Sequence, residues 1–317
     1  MTGRSAAALA VRLAGALMLV GTVGTFVWLG FGRGTHPTAP AVPAPTVVMA
    51  SVASVPATPR PPAILVEVAD GTAIMQHRAT NLTIYRMAEN PDIMVLDFAS
   101  LHDQGQMLNR LAAMVEKNGV PHDRVLDDAG LDRVIRDKKA EPDTFYYGHD
   151  YGLASIEAFF AAADRQHLAL SPDEEQLRAL IGQEHPKAVI SIPQPNAKAG
   201  VDASMRETIF KHERSHGEYF SNPAYAAFAR QFWTATLTEA ERTGFKHYLE
   251  TDDYDPAILD LMINETQAYL VHTRDPRFFK PAAAGLAQAE VDRLRSIFVL
   301  TMPPGWLRDC FTPAGPR

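Results

Sequence analysis

The sequence predicts an α+β fold, mostly helical with a small sheet, behind an N-terminal membrane anchor and a proline-rich linker. Three observations predict it. Most of the chain places apolar residues at helical spacing behind capping patterns, a few short runs are continuous and β-branched, and residues 1–63 have a composition unsuited to a core. The chain has 317 residues, of which 46% are hydrophobic and 21% charged, ordinary values for a globular part with a real core.

The uncharged apolar run from Leu13 to Phe31 is long enough to span a bilayer. Arg4 and Arg12 precede it and no small-x-small cleavage site follows closely. Residues 1–34 therefore read as an uncleaved single-pass anchor, with a cytoplasmic N-terminus and the bulk of the chain on the periplasmic or extracellular side. A cleaved leader is the alternative, given Ala39-Pro40-Ala41 and later small residues. Residues 35–63 are dominated by Pro, Ala, Val and Thr, the composition of an extended linker. The globular domain is then residues 64–317. A net charge of −7 without a long basic run gives no reason to expect nucleic acid. The single cysteine, Cys310, excludes an intrachain disulfide and a Cys-rich zinc site.

Within the domain, Ile64–Val68 and Ile93–Phe98 are expected as strands by their apolar, β-branched runs. A helix follows from about Leu101 to Lys117, with Leu108, Leu111, Ala112 and Val115 on one face, stopped by Asn118-Gly119. Further helices are expected near 131–138 and over 153–163, with Ile156, Phe159 and Phe160 inward. Another opens at Ser171-Pro172-Asp173-Glu174, with Ser as N-cap and Pro at the first helical position. Lys187–Pro193 is a short strand. Ser204-Met205-Arg206-Glu207 reads as a capping box, Asn222-Pro223 opens a helix, and Thr238–Glu241 is a second box. Thr251–Asp255 is a polar turn, and Asp255-Pro256 opens a last helix.

The helix opened at Ser204 carries His212-Glu213-Arg214-Ser215-His216, an H-E-x-x-H. Residues four apart on a helix lie one above the other, so two imidazoles can converge on one zinc ion, with the intervening Glu213 placed as a general base. His212 and His216 share the stripe of Met205, Ile209 and Phe220, the face that should meet the core. The alternative is a pair of hydrogen-bonded core histidines. A catalytic zinc needs a third protein ligand. The metzincin pattern would put glycine at position 219 and histidine at 222, where this chain has Tyr219 and Asn222. The best candidate is Glu265, which interrupts the apolar stripe Ile258, Leu261, Met262, Ala268, Tyr269. A carboxylate on a core-facing stripe is costly unless it meets a metal or an ion-pair partner such as Arg.

His212-Glu213-x-x-His216 followed by Asn264-Glu265-x-x-Ala268 resembles the gluzincin branch of the zincin metallopeptidases. The resemblance implies a zincin-like catalytic domain, His212, His216 and Glu265 as Zn2+ ligands, and Glu213 as general base. The gap between His216 and Glu265 is longer than in the thermolysin-like or aminopeptidase-like families, so no closer family is named. In zincins the strand upstream of the motif helix forms the sheet edge that receives substrate, which here implies Ile190–Ile192. Tyr269 and His272 follow Glu265 by one and two turns on the same stripe and are candidate donors to a developing oxyanion, with packing roles as the alternative. Tyr219 is a weaker candidate. Tyr146–Tyr151 is an aromatic and polar cluster, suited to lining a cleft, to supplying a ligand if Glu265 does not, or to a loop packed by its own rings. The expected protein is a membrane-anchored zinc metallopeptidase acting on peptide or protein substrates. Its rival is a non-catalytic envelope protein whose metal site is structural or vestigial and which binds a partner or cell-wall component.

Overall fold

The computed structural model describes residues 64–196 and 198–311, so the anchor expected at 1–34 and the linker at 35–63 lie outside the described residues. Among the described residues, no helix is long and apolar enough to cross a membrane. The fold is mostly helical with a small mixed sheet. Its strands are β1 (Glu67–Ala69), β2 (Thr83–Met87), β3 (Ile93–Phe98), β4 (His149–Gly152) and β5 (Ala188–Pro193). Every residue of β3 and β5 is buried. A strand covered on both faces has no solvent side on which to alternate, which is why both read as unbroken apolar runs.

The sheet order is β1-β2-β3-β5-β4. β3 and β5 pair in parallel at its centre, and β4 runs antiparallel to β5 at one edge. The expectation that β5 is the substrate-facing edge is therefore corrected: its main chain is used on both sides, and the edge beside the motif helix is β4. The first strand begins at Glu67 rather than Ile64. β2, β4 and the short helix α1 (Gly71–Gln76) were not foreseen, because each is too short to show a period.

One face of the sheet is covered by α2 (Leu101–Glu116), α4 (Leu153–Gln166) and α5 (Pro172–Glu184). Met94, Leu96 and Phe98 of β3 pack there against Leu108, Leu111, Phe159 and Leu177. α3 (Asp128–Asp137) lies between α2 and β4 in the chain. The alternate residues Ile93 and Val95, with Ile190 and Ile192, face Ile74 of α1 and Ile209 and Phe210 of α6 (Ala203–Ser221). A second core is helical. It gathers Ala229, Phe245, Leu249, Met262 and Phe298 from α7 (Pro223–Gln231), α8 (Glu239–Thr251), α9 (Leu259–Gln267) and α10 (Gln288–Thr301), with the short α11 (Trp306–Asp309) packed on it.

The capping boxes at Ser171/Glu174 and Thr238/Glu241 both form. α6 instead opens at Asp202, whose carboxylate accepts from Met205 N at 2.8 Å while Ser204 Oγ donates to it at 2.7 Å. An anion at a helix N-terminus also meets the helix dipole, so it displaces the hydroxyl as cap. α9 opens at Leu259 rather than at Asp255, which is held in the preceding turn by Ala257 N and His122.

α6 is fixed to the sheet by a buried ion pair. Arg206, 1% exposed, meets both carboxylate oxygens of Asp97 on β3 at 2.8 and 3.0 Å and also donates to Pro193 O and Ile74 O. Gln194 Nε2 donates to Asp97 as well, so the carboxylate is fully engaged. Gly217, further along α6, lies against Ile93 so closely that a Cβ would stand 3.0 Å from its side chain.

Candidate metal centre

α6 turns His212 and His216 toward each other, their Nε2 atoms 3.0 Å apart. From α9, Glu265 Oε2 lies 3.6 Å from His212 Nε2 and 3.8 Å from His216 Nε2. Donors on one tetrahedral zinc, each about 2.0–2.1 Å from it, stand about 3.3 Å apart. The three atoms are thus close to a coordinating arrangement, and they form one of two buried groups among the described residues able to hold a metal ion. The other is Asp150, Glu213 and His216, which shares His216 with the first.

The hydrogen bonds around the imidazoles assign their free lone pairs. Thr273 Oγ1 gives its only proton to Ala268 O at 3.1 Å, so it accepts from His212 Nδ1 at 2.8 Å. His212 then carries its proton on Nδ1 and presents a bare Nε2. His216 Nδ1 faces Asp150 Oδ1 at 3.5 Å, longer than a hydrogen bond but the carboxylate partner that orients a ligating histidine. Glu265 is fully buried, and among the described residues neither of its oxygens has a hydrogen-bond partner and no Arg or Lys pairs with it. A buried carboxylate without a donor costs several kcal/mol. A cation held by Glu265 and the two Nε2 atoms would remove that cost, so the residues fit a metal, and the Arg-paired alternative for Glu265 is not what the structure holds.

Burial pushes His212 down to about 3 and His216 down to about 4, so both imidazoles are neutral, the form that binds metal. Burial raises Glu265, opposed chiefly by His216. It raises Glu213 and Asp150 well above the usual carboxylate range, reinforced in each by the charge of Glu265. Such a crowd of acidic groups again points to a cation among them.

A cleft of about 410 Å³ opens onto this centre, lined at its base by His212, Glu213 and Tyr269. Glu213 Oε2 has no hydrogen-bond partner. Gly148, just before β4, lies so close that a methyl group on it would overlap the Glu213 carboxylate. Tyr269 stacks edge-on against His212, ring centroids 4.6 Å apart. His272 is not among the cleft residues; its Nε2 meets Tyr225 OH at 3.3 Å, and Tyr225 in turn donates to Gln267. The cause is a π-helical turn over Ala268–His272, closed by Thr273 N to Ala268 O at 3.0 Å. The extra residue advances the stripe by one, so Thr273 rather than His272 falls under His212. Tyr219 is also turned away, donating to Asp260 at 2.7 Å.

Asp150, Thr273, Tyr254 and Lys117 line or support the site without having been singled out individually from the sequence. The Tyr146–Tyr151 cluster does line the cleft through Tyr146, Tyr147 and Gly148. Nothing in the sequence marks the π-turn that selects Thr273. No protein family matches this sequence, and no curated protein or solved structure is significantly similar to it.

Proposed function

We propose that this protein is a zinc-dependent metallopeptidase, held at the membrane with its catalytic domain on the exported side. One observation carries the reading: two imidazole Nε2 atoms 3.0 Å apart and a buried carboxylate without a hydrogen-bond partner among the described residues converge behind a cleft that His212 and Glu213 line. Zinc, when bound, supplies Lewis acidity and lowers the pKa of water. His212, His216 and Glu265 hold it, and Thr273 and Asp150 orient the imidazoles. Glu213 takes the proton of the attacking water and returns it to the leaving amine. Tyr269, at the cleft wall, is placed to donate to the developing oxyanion. The segment Phe145–Gly148 lines the cleft just before β4, and a peptide substrate can lie along its main chain.

The test is elemental analysis of the purified full chain, paired with a broad peptide library read by mass spectrometry. The wild type should hold close to one zinc per chain, and His212→Ala should lose most of it. Glu213→Gln should keep the zinc and lose activity by roughly 10²–10⁴-fold, the range for a general acid–base. A wild type that binds no divalent metal overturns the site. One that binds zinc and cleaves nothing across the library returns the protein to the non-catalytic envelope class.

A further inference from the structure

We propose that Lys117 binds the free C-terminal carboxylate of the substrate, which makes the enzyme an exopeptidase that cuts close to C-termini. The inference rests on the peptidase reading above. Lys117 follows α2 directly, and its side chain lines the same cleft as His212 and Glu213. It is 5% exposed, and its Nζ sits among three aromatic rings, 4.4 Å from the centroid of Tyr146, 4.8 Å from Phe145 and 5.8 Å from Tyr254. An ammonium has three protons to donate. The single acceptor that Lys117 reaches is the Asp252 carbonyl, at a long 3.4 Å.

Among the described residues no carboxylate forms an ion pair with it. Asp253 is engaged by Lys138 at 2.6 Å. Glu116 is buried, and that burial, with the charge of Glu265, pushes it up, which weakens it as a counter-charge to Lys117. Asp252 turns its carbonyl, not its carboxylate, to Lys117. Burial correspondingly lowers the proton affinity of Lys117. A buried cation with unmet donors is costly on its own. Because this one faces a cleft, an anion brought by the ligand can complete it.

The topology says which end of a peptide arrives there. A chain laid antiparallel to the cleft-lining segment Phe145–Gly148 runs its C-terminal end toward the first residues of that segment. Those residues include Phe145 and Tyr146, two walls of the cage around Lys117. A chain paired in parallel would bring its ammonium terminus to the Lys117 ammonium, so the charge selects the antiparallel direction. Lys117 is also near enough to the metal centre for its charge to act on Glu265. Lys117, His212 and Glu213 line one cleft, so the terminal carboxylate and the scissile carbonyl belong to one short segment of the substrate.

The experiment uses the zinc-loaded full chain in detergent with matched peptides that differ only in a free-acid or amidated C-terminus. Free-acid peptides should release C-terminal fragments of one or two residues, and amidation should lower kcat/KM at least tenfold. Lys117→Gln should bring the free-acid rate down to the amide rate, and Lys117→Arg should keep the preference. Equal cleavage of acid and amide by the wild type overturns the role of Lys117 while leaving the peptidase intact. Cleavage of neither overturns the peptidase reading and this inference with it. If the Gln variant does not fold, the wild-type comparison still decides.

Discussion

At the scale of single residues, the base and the strand next to it depend on one missing side chain. Gly148 has no Cβ, and a methyl group there would collide with the Glu213 carboxylate and with Ile209 Cγ2. Gly148→Ala should therefore displace the base without touching a ligand. Zinc content is expected to stay near one per chain while kcat falls by about 10²-fold, the lower range for a lost general base. An unchanged kcat would show that Glu213 does not act from this position. His212, Glu213 and His216 were legible in the sequence because their chemistry and their spacing are both local. Glu265 was legible because a carboxylate on an apolar stripe is an anomaly that asks for a partner. Lys117 and Asp150 were not, since each matters through neighbours far away in the chain: Tyr254 for Lys117, His216 for Asp150.

At the scale of elements, the metal site inherits its precision from how α6 is fixed. The Asp97–Arg206 pair ties the first half of α6 to the centre of the sheet, six residues before His212. Removing one partner of a buried pair leaves the other charge uncompensated and costs about 3–5 kcal/mol. Asp97→Leu is expected to lose that much in denaturant unfolding at fixed zinc concentration, since bound metal itself adds stability. Adding Arg206→Met should recover part of the loss by removing the stranded cation. A double variant no more stable than the single one would show that the pair does not act as a unit. The long elements, α2, α5, α6 and α8, could be read from period and caps. β4 and the π-turn after α9 could not. β4 has four residues, His149–Gly152, three of them buried, and its edge position is set by pairing with β5. The π-turn shifts a stripe by one residue, which no pattern of residue types announces.

At the scale of the molecule, the two cores meet at the candidate metal centre. α6 packs on the sheet, α9 belongs to the helical core, and His212 and His216 from one face Glu265 from the other. A bound ion would therefore join the halves of the domain, so its affinity is linked to folding. Where the domain works is a question for the N-terminal residues, which lie outside the described structure and are argued from sequence alone. The uncharged run from Leu13 to Phe31, preceded by Arg4 and Arg12, is expected from sequence to direct the following chain outward. A periplasmic or extracellular reporter fused after Ala63 should be active only if exported. The intact protein should fractionate with membranes and be released by proteolysis of the Pro/Ala-rich segment, residues 35–63, which would yield a soluble domain that retains its zinc. A naturally soluble form beginning between Thr35 and Ala50 would identify the segment as a cleaved leader. A reporter inactive outside and active in the cytoplasm would overturn the topology, and with it the proposal that the substrates are exported peptides.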